Sequence, residues 1–300
     1  MAESFFRKVG TPPILVLAFG AICISFAPVF PKMLGSSMGP TATGFWRAFI
    51  GAGFLFAWAV ASRQRLIMPR VIFGWSLLAG FIFFLDLFLW HRSIMYSGAG
   101  MATILANIQV FVTAVLSYFV FKERLSIKFF AAAIGAIIGI VLLIGVGSDF
   151  EFTRLYLTGV LLGLLTGFMF ASYIIVMKLA GQFGPRPDSR VLMAWTSLFT
   201  AFFLVVASGW EEAPFMPPDL YALGILIALG LVAQTVGWWS ITVSLPKLDA
   251  SRSGLVLLLQ PILATVWGWL IFAESLTFIQ MLGAAITLTA IYFGSLRRRI

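Results

Sequence analysis

Residues 121–126 read FKERLS and residues 272–277 read FAESLT. One corner phrase therefore occurs twice, 151 positions apart, and its second copy lacks the Lys and Arg of the first. Outward from it at the same offset, Ala99, Gln109, Val115 and Ala133 meet Ala250, Gln260, Val266 and Ala284. Earlier in each half the offset falls to 148, where Asp86 meets Gln234 and Trp90 meets Trp238; a three-residue insertion near Pro246 accounts for the change. Identities are few, yet polar residues stay opposite polar ones inside otherwise apolar stretches.

The stretches themselves set the class. Of 300 residues 61% are hydrophobic and 10% charged, against roughly a quarter charged in a soluble domain. Such a chain cannot cover itself with polar surface, which makes a membrane protein the expectation. The net charge of +9 does not indicate nucleic acid, because the charges lie between long apolar runs rather than on a basic face. A spanning helix needs about 20 apolar residues. Ten runs qualify, near 12–34, 42–62, 71–95, 98–121, 127–147, 155–178, 190–210, 219–244, 250–273 and 278–296. The first follows Arg7 and Lys8 like a signal peptide, but its length and its prolines Pro28 and Pro31 mark it as a retained helix. The breaks are too short for a soluble domain. The lone cysteine, Cys23, excludes a disulfide framework.

Lys and Arg gather on the cytoplasmic side of a membrane. With both termini placed there, sixteen of the 20 basic residues fall inside; Lys32, Arg92 and Arg154 lie near the outer side and Arg47 within the second run. The repeat unit holds five runs, an odd number, so two tandem copies must cross in opposite senses. The expected fold is all-α: ten transmembrane helices as two inverted five-helix repeats, residues 1–150 and 151–300, around a central cavity. FKERLS then sits at the inner face and FAESLT at the outer one, where the positive-inside rule removes its Lys and Arg. Glu123 and Glu274 are expected to form corners in which Ser126 and Thr277 cap the following helices; the alternative is a direct part in gating or proton coupling.

Polar residues within the runs are the candidate site. An ionisable group inside a bilayer is costly and invites a functional reading. Asp86 lies about 13 Å and Arg47 about 9 Å from the outer ends of their helices, at 1.5 Å rise per residue. Their depths overlap, which allows an ion pair, a substrate site or a coupling role. Gln109 and Gln260 fall mid-helix at symmetry-related positions, where two amides can serve a zwitterion's ends; the competing use is interhelical hydrogen bonding. Projection of Asn107 200° from Gln109 leaves one of them for the cavity, and Gln109 is favoured. Asp86 with Trp90, and Gln234 with Trp238, stand four apart, stacking a polar group and an indole on one face in each half. His91, beside Arg92 at the outer end of its helix, is expected in an interfacial or hydrogen-bonded role, the alternative being titration at about pH 6.5. Gly159, Gly163 and Gly167, and Gly135 with Gly139, provide close helix approach. Pro28, Pro31 and Pro261 are candidate bends.

With its doubled E-x-L-[ST] corner, Gln260-Pro261 and the WRAFIGAGFL of 46–55 with Arg47, the chain resembles the drug/metabolite transporter superfamily in its ten-helix EamA-type branch. Its overall pattern is similar to the YddG-like amino-acid exporters. Val110 stands where the second half has Pro261, a departure from the family pattern. The resemblance implies an inner-membrane secondary carrier exporting amino acids, aromatic or other apolar ones included, and related metabolites. It implies a cavity formed by the first, third, fourth, sixth, eighth and ninth helices. Rival expectations are export of cationic drugs, and lipid flipping. No phosphate-binding loop, no metal-ligand spacing and no nucleophile–base constellation occurs in the sequence, so neither a pump driven directly by ATP, an enzyme nor a cofactor is expected. The expected partners are a small-molecule substrate and the bilayer, with the protein a monomer or a homodimer.

Overall fold

The computed structural model describes residues 12–121, 127–144, 153–180, 188–244, 256–257 and 259–295. Glu123 and Ser126 lie outside these residues. The described secondary structure is helical: α1 (Pro13–Ser25), α2 (Val29–Leu34), α3 (Pro40–Ala61), α4 (Arg70–Ser97), α5 (Ala99–Ala106), α6 (Gln109–Phe121) and α7 (Ile127–Ile144) come first. They are followed by α8 (Arg154–Ala180), α9 (Ser189–Ser208), α10 (Leu220–Ala228), a π-helical stretch Leu229–Gly237, α11 (Trp238–Ser244), α12 (Leu259–Phe272) and α13 (Phe278–Ser295). Among the described residues, seven helical stretches are long and apolar enough to cross a bilayer, and three shorter apolar helices accompany them at Phe130–Leu142, Leu259–Phe272 and Phe278–Ala290. This is a multi-pass membrane protein. Its surface matches: Phe119, Ile134, Leu161, Phe202 and Trp269 stand exposed, as side chains do when lipid rather than water surrounds them.

Local chemistry explains several helix ends. Phe26–Pro28 separates α1 from α2, so Pro28 sits at a break, whereas Pro31 continues inside α2. Pro261 lies in α12 and is buried there, three positions after residue 258, which lies outside the described residues. Between α5 and α6 the break comes without proline, at Asn107–Ile108. Asn107 Nδ2 donates to the Thr103 carbonyl at 2.7 Å, a side-chain bond that competes with the backbone ladder. Asp188 caps α9, accepting from the Arg190 backbone N–H at 2.9 Å. The hydrogen bonds from Arg190 hold its carboxyl below the usual carboxylate range, and Arg190 Nη1 reaches back to Ser62 Oγ at 2.7 Å, tying α9 to the end of α3.

Packing interleaves the two halves. α3 packs on α9, α7 on α13 and α5 on α12. α4 packs on α8 as α1 packs on the π stretch and α11; α8 also takes α5 and α6, as α1 takes α12. Counted in chain order, exchange of the first five apolar stretches with the last five maps each of these pairings onto itself or onto another. The largest buried cluster joins Ala48, Ala79, Phe83 and Leu87 to Tyr173, Val176, Ala201 and Leu204, so the core belongs to both halves. Glycines set the closest approaches within the chain. A methyl on Gly163 would meet Ser93 Oγ and Leu105, and one on Gly139 would lie 2.6 Å from the Thr287 backbone nitrogen.

Candidate functional site: a polar cavity at mid-bundle

Half-way along the bundle, between α1, α3, α4, α5, α8, α11 and α12, lies a cavity of about 540 Å³ including its mouth, with about 60 Å³ open to the centres of water-sized groups. That is room for several such groups at the ~10–15 Å³ each requires. Its polar lining is Arg47, Asp86, Thr103, Asn107, Thr166 and Gln260, and its apolar lining includes Phe83, Trp90, Phe170 and Trp238. Four of the sequence candidates for substrate contact, Asp86, Trp90, Trp238 and Gln260, therefore meet in one space, with Arg47 beside them.

Helical spacing delivers them. Phe83, Asp86, Leu87 and Trp90 lie at i, i+3, i+4 and i+7 on α4, one face of the helix. Thr103, Ala106 and Asn107 repeat the pattern on α5. Arg47 is 2% and Asp86 7% exposed. Among the described residues no ion pair joins them. Arg47 is held instead by Gln234: its Nε donates to Gln234 Oε1 at 3.0 Å, and Gln234 Nε2 donates to Ser197 Oγ at 3.0 Å. The guanidinium lies 5.5 Å from the Trp90 ring centroid, within reach of a cation–π attraction. Arg47 Nη1 and Trp238 Nε1 are buried without a hydrogen-bond partner among the described residues.

Two sequence candidates stand elsewhere. Gln109 is not among the lining residues; its Oε1 accepts from Thr113 Oγ1 at 3.1 Å. Asn107 lines the cavity in its place, because the helix breaks between the two and a single projection no longer applies. Gln234 lies behind Arg47, on the π stretch, and is itself 2% exposed. His91 is fully buried beside Gly44. Thr103, Thr166, Phe170 and Ser197 were not singled out from sequence. The i, i+4 pair of Thr103 and Asn107 in an apolar run was the available signal for α5.

At one end of the bundle Glu274 occupies a seat of its own. It pairs with Lys32, and its Oε1 accepts from the Ala99 backbone N–H at 3.1 Å. That places a carboxylate at the N-terminus of α5, where the helix dipole favours it. Gly98, at φ 92°, and Gly268 flank the carboxylate, and a methyl on either would crowd it. The corner's other expected function is also present: Thr277 Oγ1 accepts from Gln280 N at 3.2 Å while Gln280 Oε1 accepts from Thr277 N at 3.0 Å, a capping box on α13. Thr277 thus caps its own helix, and Glu274 serves a different one. At the same end Arg92 pairs with Glu211, and Thr41 Oγ1 donates to that carboxylate at 2.6 Å.

A multi-pass helical bundle enclosing a polar cavity at mid-depth is the architecture of a solute carrier. The family model of the EamA-like transporters matches the chain twice, at residues 11–145 and 157–296. The chain belongs to the EamA-like transporter family. It is 28% identical over 202 residues to a probable amino-acid metabolite efflux pump of Salmonella typhimurium, covering 65% of this chain and 67% of that one. The counterpart of the same name in Escherichia coli matches to the same extent. An uncharacterized transporter of Bacillus subtilis, YdfC, is 23% identical over 91% of this chain and 88% of its own. A solved crystal structure, 17% identical, superposes with a TM-score of 0.67 over 94% of this chain and 95% of that one, a likeness of fold.

Proposed function

We propose that the protein is a secondary exporter of amino acids and related small metabolites in a cell's inner membrane, working by alternating access. The observation that carries this reading is the mid-bundle cavity. It sets one cation, one carboxylate and two amides, Arg47, Asp86, Asn107 and Gln260, against four aromatic rings. In this reading ten helices form two inverted five-helix halves with both termini cytoplasmic. The exchange symmetry of the helix pairings supports it, as does the twofold family match. The names of the relatives support amino-acid metabolites as cargo. The Lys32–Glu274 pair, with Ala99, then closes the outer end in the conformation described here, giving Glu274 a gating part as well as a capping one.

Flux tests the proposal. Liposomes holding the purified protein and a panel of labelled amino acids should release a subset of them, and Gln260→Ala and Asp86→Asn should lower that release at least fivefold. Release of none of the panel, with release of a cationic dye instead, would move the assignment to cationic solutes recognised by Asp86. A lipid scrambled or flipped in the same vesicles would move it to lipids.

A further inference from the structure

Resting on the carrier reading, we infer that the cavity recognises its solute by two opposite charges that the fold keeps apart. The solute's carboxylate docks on Arg47 Nη1 and Trp238 Nε1, its ammonium docks on Asp86, and Gln234 is the residue that aims the guanidinium. The class of solute this selects is the zwitterionic α-amino acid with an uncharged side chain.

The argument begins with unused bonding capacity. Arg47 and Trp238 both line the cavity, and each leaves one donor nitrogen, Nη1 and Nε1, buried and without a partner among the described residues. Buried donors are almost always matched, so two unmatched ones on a single cavity mark the place where a ligand's acceptors belong. A guanidinium edge and an indole N–H suit carboxylate oxygens. Asp86 faces the same space but forms no ion pair with Arg47. A direct pair would satisfy both groups on each other. Held apart, the two leave each charge available to its opposite on a zwitterion.

Gln234 is what keeps them apart. Its amide is fixed at both ends, accepting from Arg47 Nε and donating to Ser197 Oγ, so the guanidinium is anchored by the edge that faces away from Nη1. Two local irregularities seat that amide. Gln234 stands on the π-helical stretch Leu229–Gly237, a form that recurs at functional sites. Opposite it on α3 is Gly51, where any Cβ would overlap the Gln234 side chain. Both features bring the amide onto Arg47. Gln234 is a positioning residue, since it does not line the cavity.

Gln234→Glu tests this with little change of shape, because it supplies Arg47 with an internal carboxylate. Ligand-induced shifts of the unfolding midpoint would be measured on the purified protein. The probes are leucine, 3-methylbutylamine, which lacks the carboxylate, and 4-methylpentanoate, which lacks the amine. For the wild type, leucine should bind at least tenfold more tightly than either fragment. Gln234→Glu should weaken leucine at least tenfold and leave the amine as before or better; Asp86→Asn should weaken leucine and the amine and spare the acid. Equal binding of leucine and the amine to the wild type, or no leucine binding at all, overturns the inference. So does leucine binding to Gln234→Glu with wild-type affinity. Should that variant not fold, Trp238→Phe removes one donor alone and should weaken leucine and the acid several-fold but not the amine. Leucine flux from liposomes separates this inference from the carrier reading. The two-charge binding pattern without flux of any solute refutes the carrier and leaves the recognition. Flux that ignores the carboxylate refutes the recognition and leaves the carrier.

Discussion

Asn107 and Gln109 stand two residues apart and have opposite surroundings. Asn107 ends α5, spends its Nδ2 on the Thr103 carbonyl and shares the cavity lining with Gln260. Gln109 begins α6 and bonds Thr113 within its own helix. A helical (i, i+4) side-chain bond on one element contributes only a few tenths of a kcal/mol, about 0.2–0.5. Removing a polar group from a cavity that must desolvate its ligand costs about 1–3 kcal/mol, and each 1.4 kcal/mol is tenfold in affinity. Asn107→Ala is therefore expected to raise the half-saturation concentration for efflux about five- to a hundredfold, while Gln109→Ala stays within about twofold. Concentration dependence of liposome efflux measures both. The reverse ranking would return the site to the symmetric glutamine pair.

At the scale of elements, the break between α5 and α6 and the Glu274 seat belong together. Gly167 of α8 approaches so closely that a methyl there would lie 3.0 Å from the Ala106 carbonyl, so α8 braces the broken helix from behind. At the other end of α5, Glu274 supplies the acceptor that Ala99 lacks within its helix, and Lys32 balances the charge. This joins α2, α5 and the end of α12 around a second cavity of about 790 Å³, its mouth included, lined by Tyr96, Thr265 and Gln280 among others. The Lys32 and Glu274 side chains are 29% and 21% exposed, so the pair is partly screened and its stabilising effect is modest. Its mechanical effect is separable. In a Cys23→Ala background, Glu274→Gln should speed the reaction of Thr265→Cys with a water-soluble maleimide at least threefold. Global unfolding should shift by only about 1 kcal/mol or less. An unchanged labelling rate would leave Glu274 a helix cap alone.

For the whole molecule, interleaving is the decisive property. The largest buried cluster draws on α3 and α4 from one half and on α8 and α9 from the other. Residues 1–150 expressed alone would leave that apolar surface and the Arg47 contact with Gln234 unfilled. They are expected to be degraded, whereas co-expression with 151–300 should yield a copurifying pair. Stable accumulation of either half alone would contradict a shared core. The proposed orientation has its own check. Fluorescent-protein fusions at both termini should fluoresce, and phosphatase fusions at both should be silent, if the two ends are cytoplasmic.

The apolar runs, the doubled corner and the family's motifs were sufficient for the membrane class, the family and the four cavity residues Asp86, Trp90, Trp238 and Gln260. Those features are local or periodic, and a bilayer makes them obligatory, because hydrocarbon accepts only helices whose backbone bonds are closed internally. What the tertiary structure decided was every question of partner. It placed Glu274 on the N-terminus of another helix, Asn107 instead of Gln109 in the cavity, and Gln234 behind Arg47 in place of an Arg47–Asp86 pair. Each of these turns on a helix departing from regularity, at 107–108 and at 229–237, or on two glycines admitting a neighbour. Periodicity assumes an unbroken α-helix and cannot foresee its own interruptions; contacts between residues 187 positions apart, such as that of Arg47 with Gln234, exist only once the packing has set where those interruptions fall.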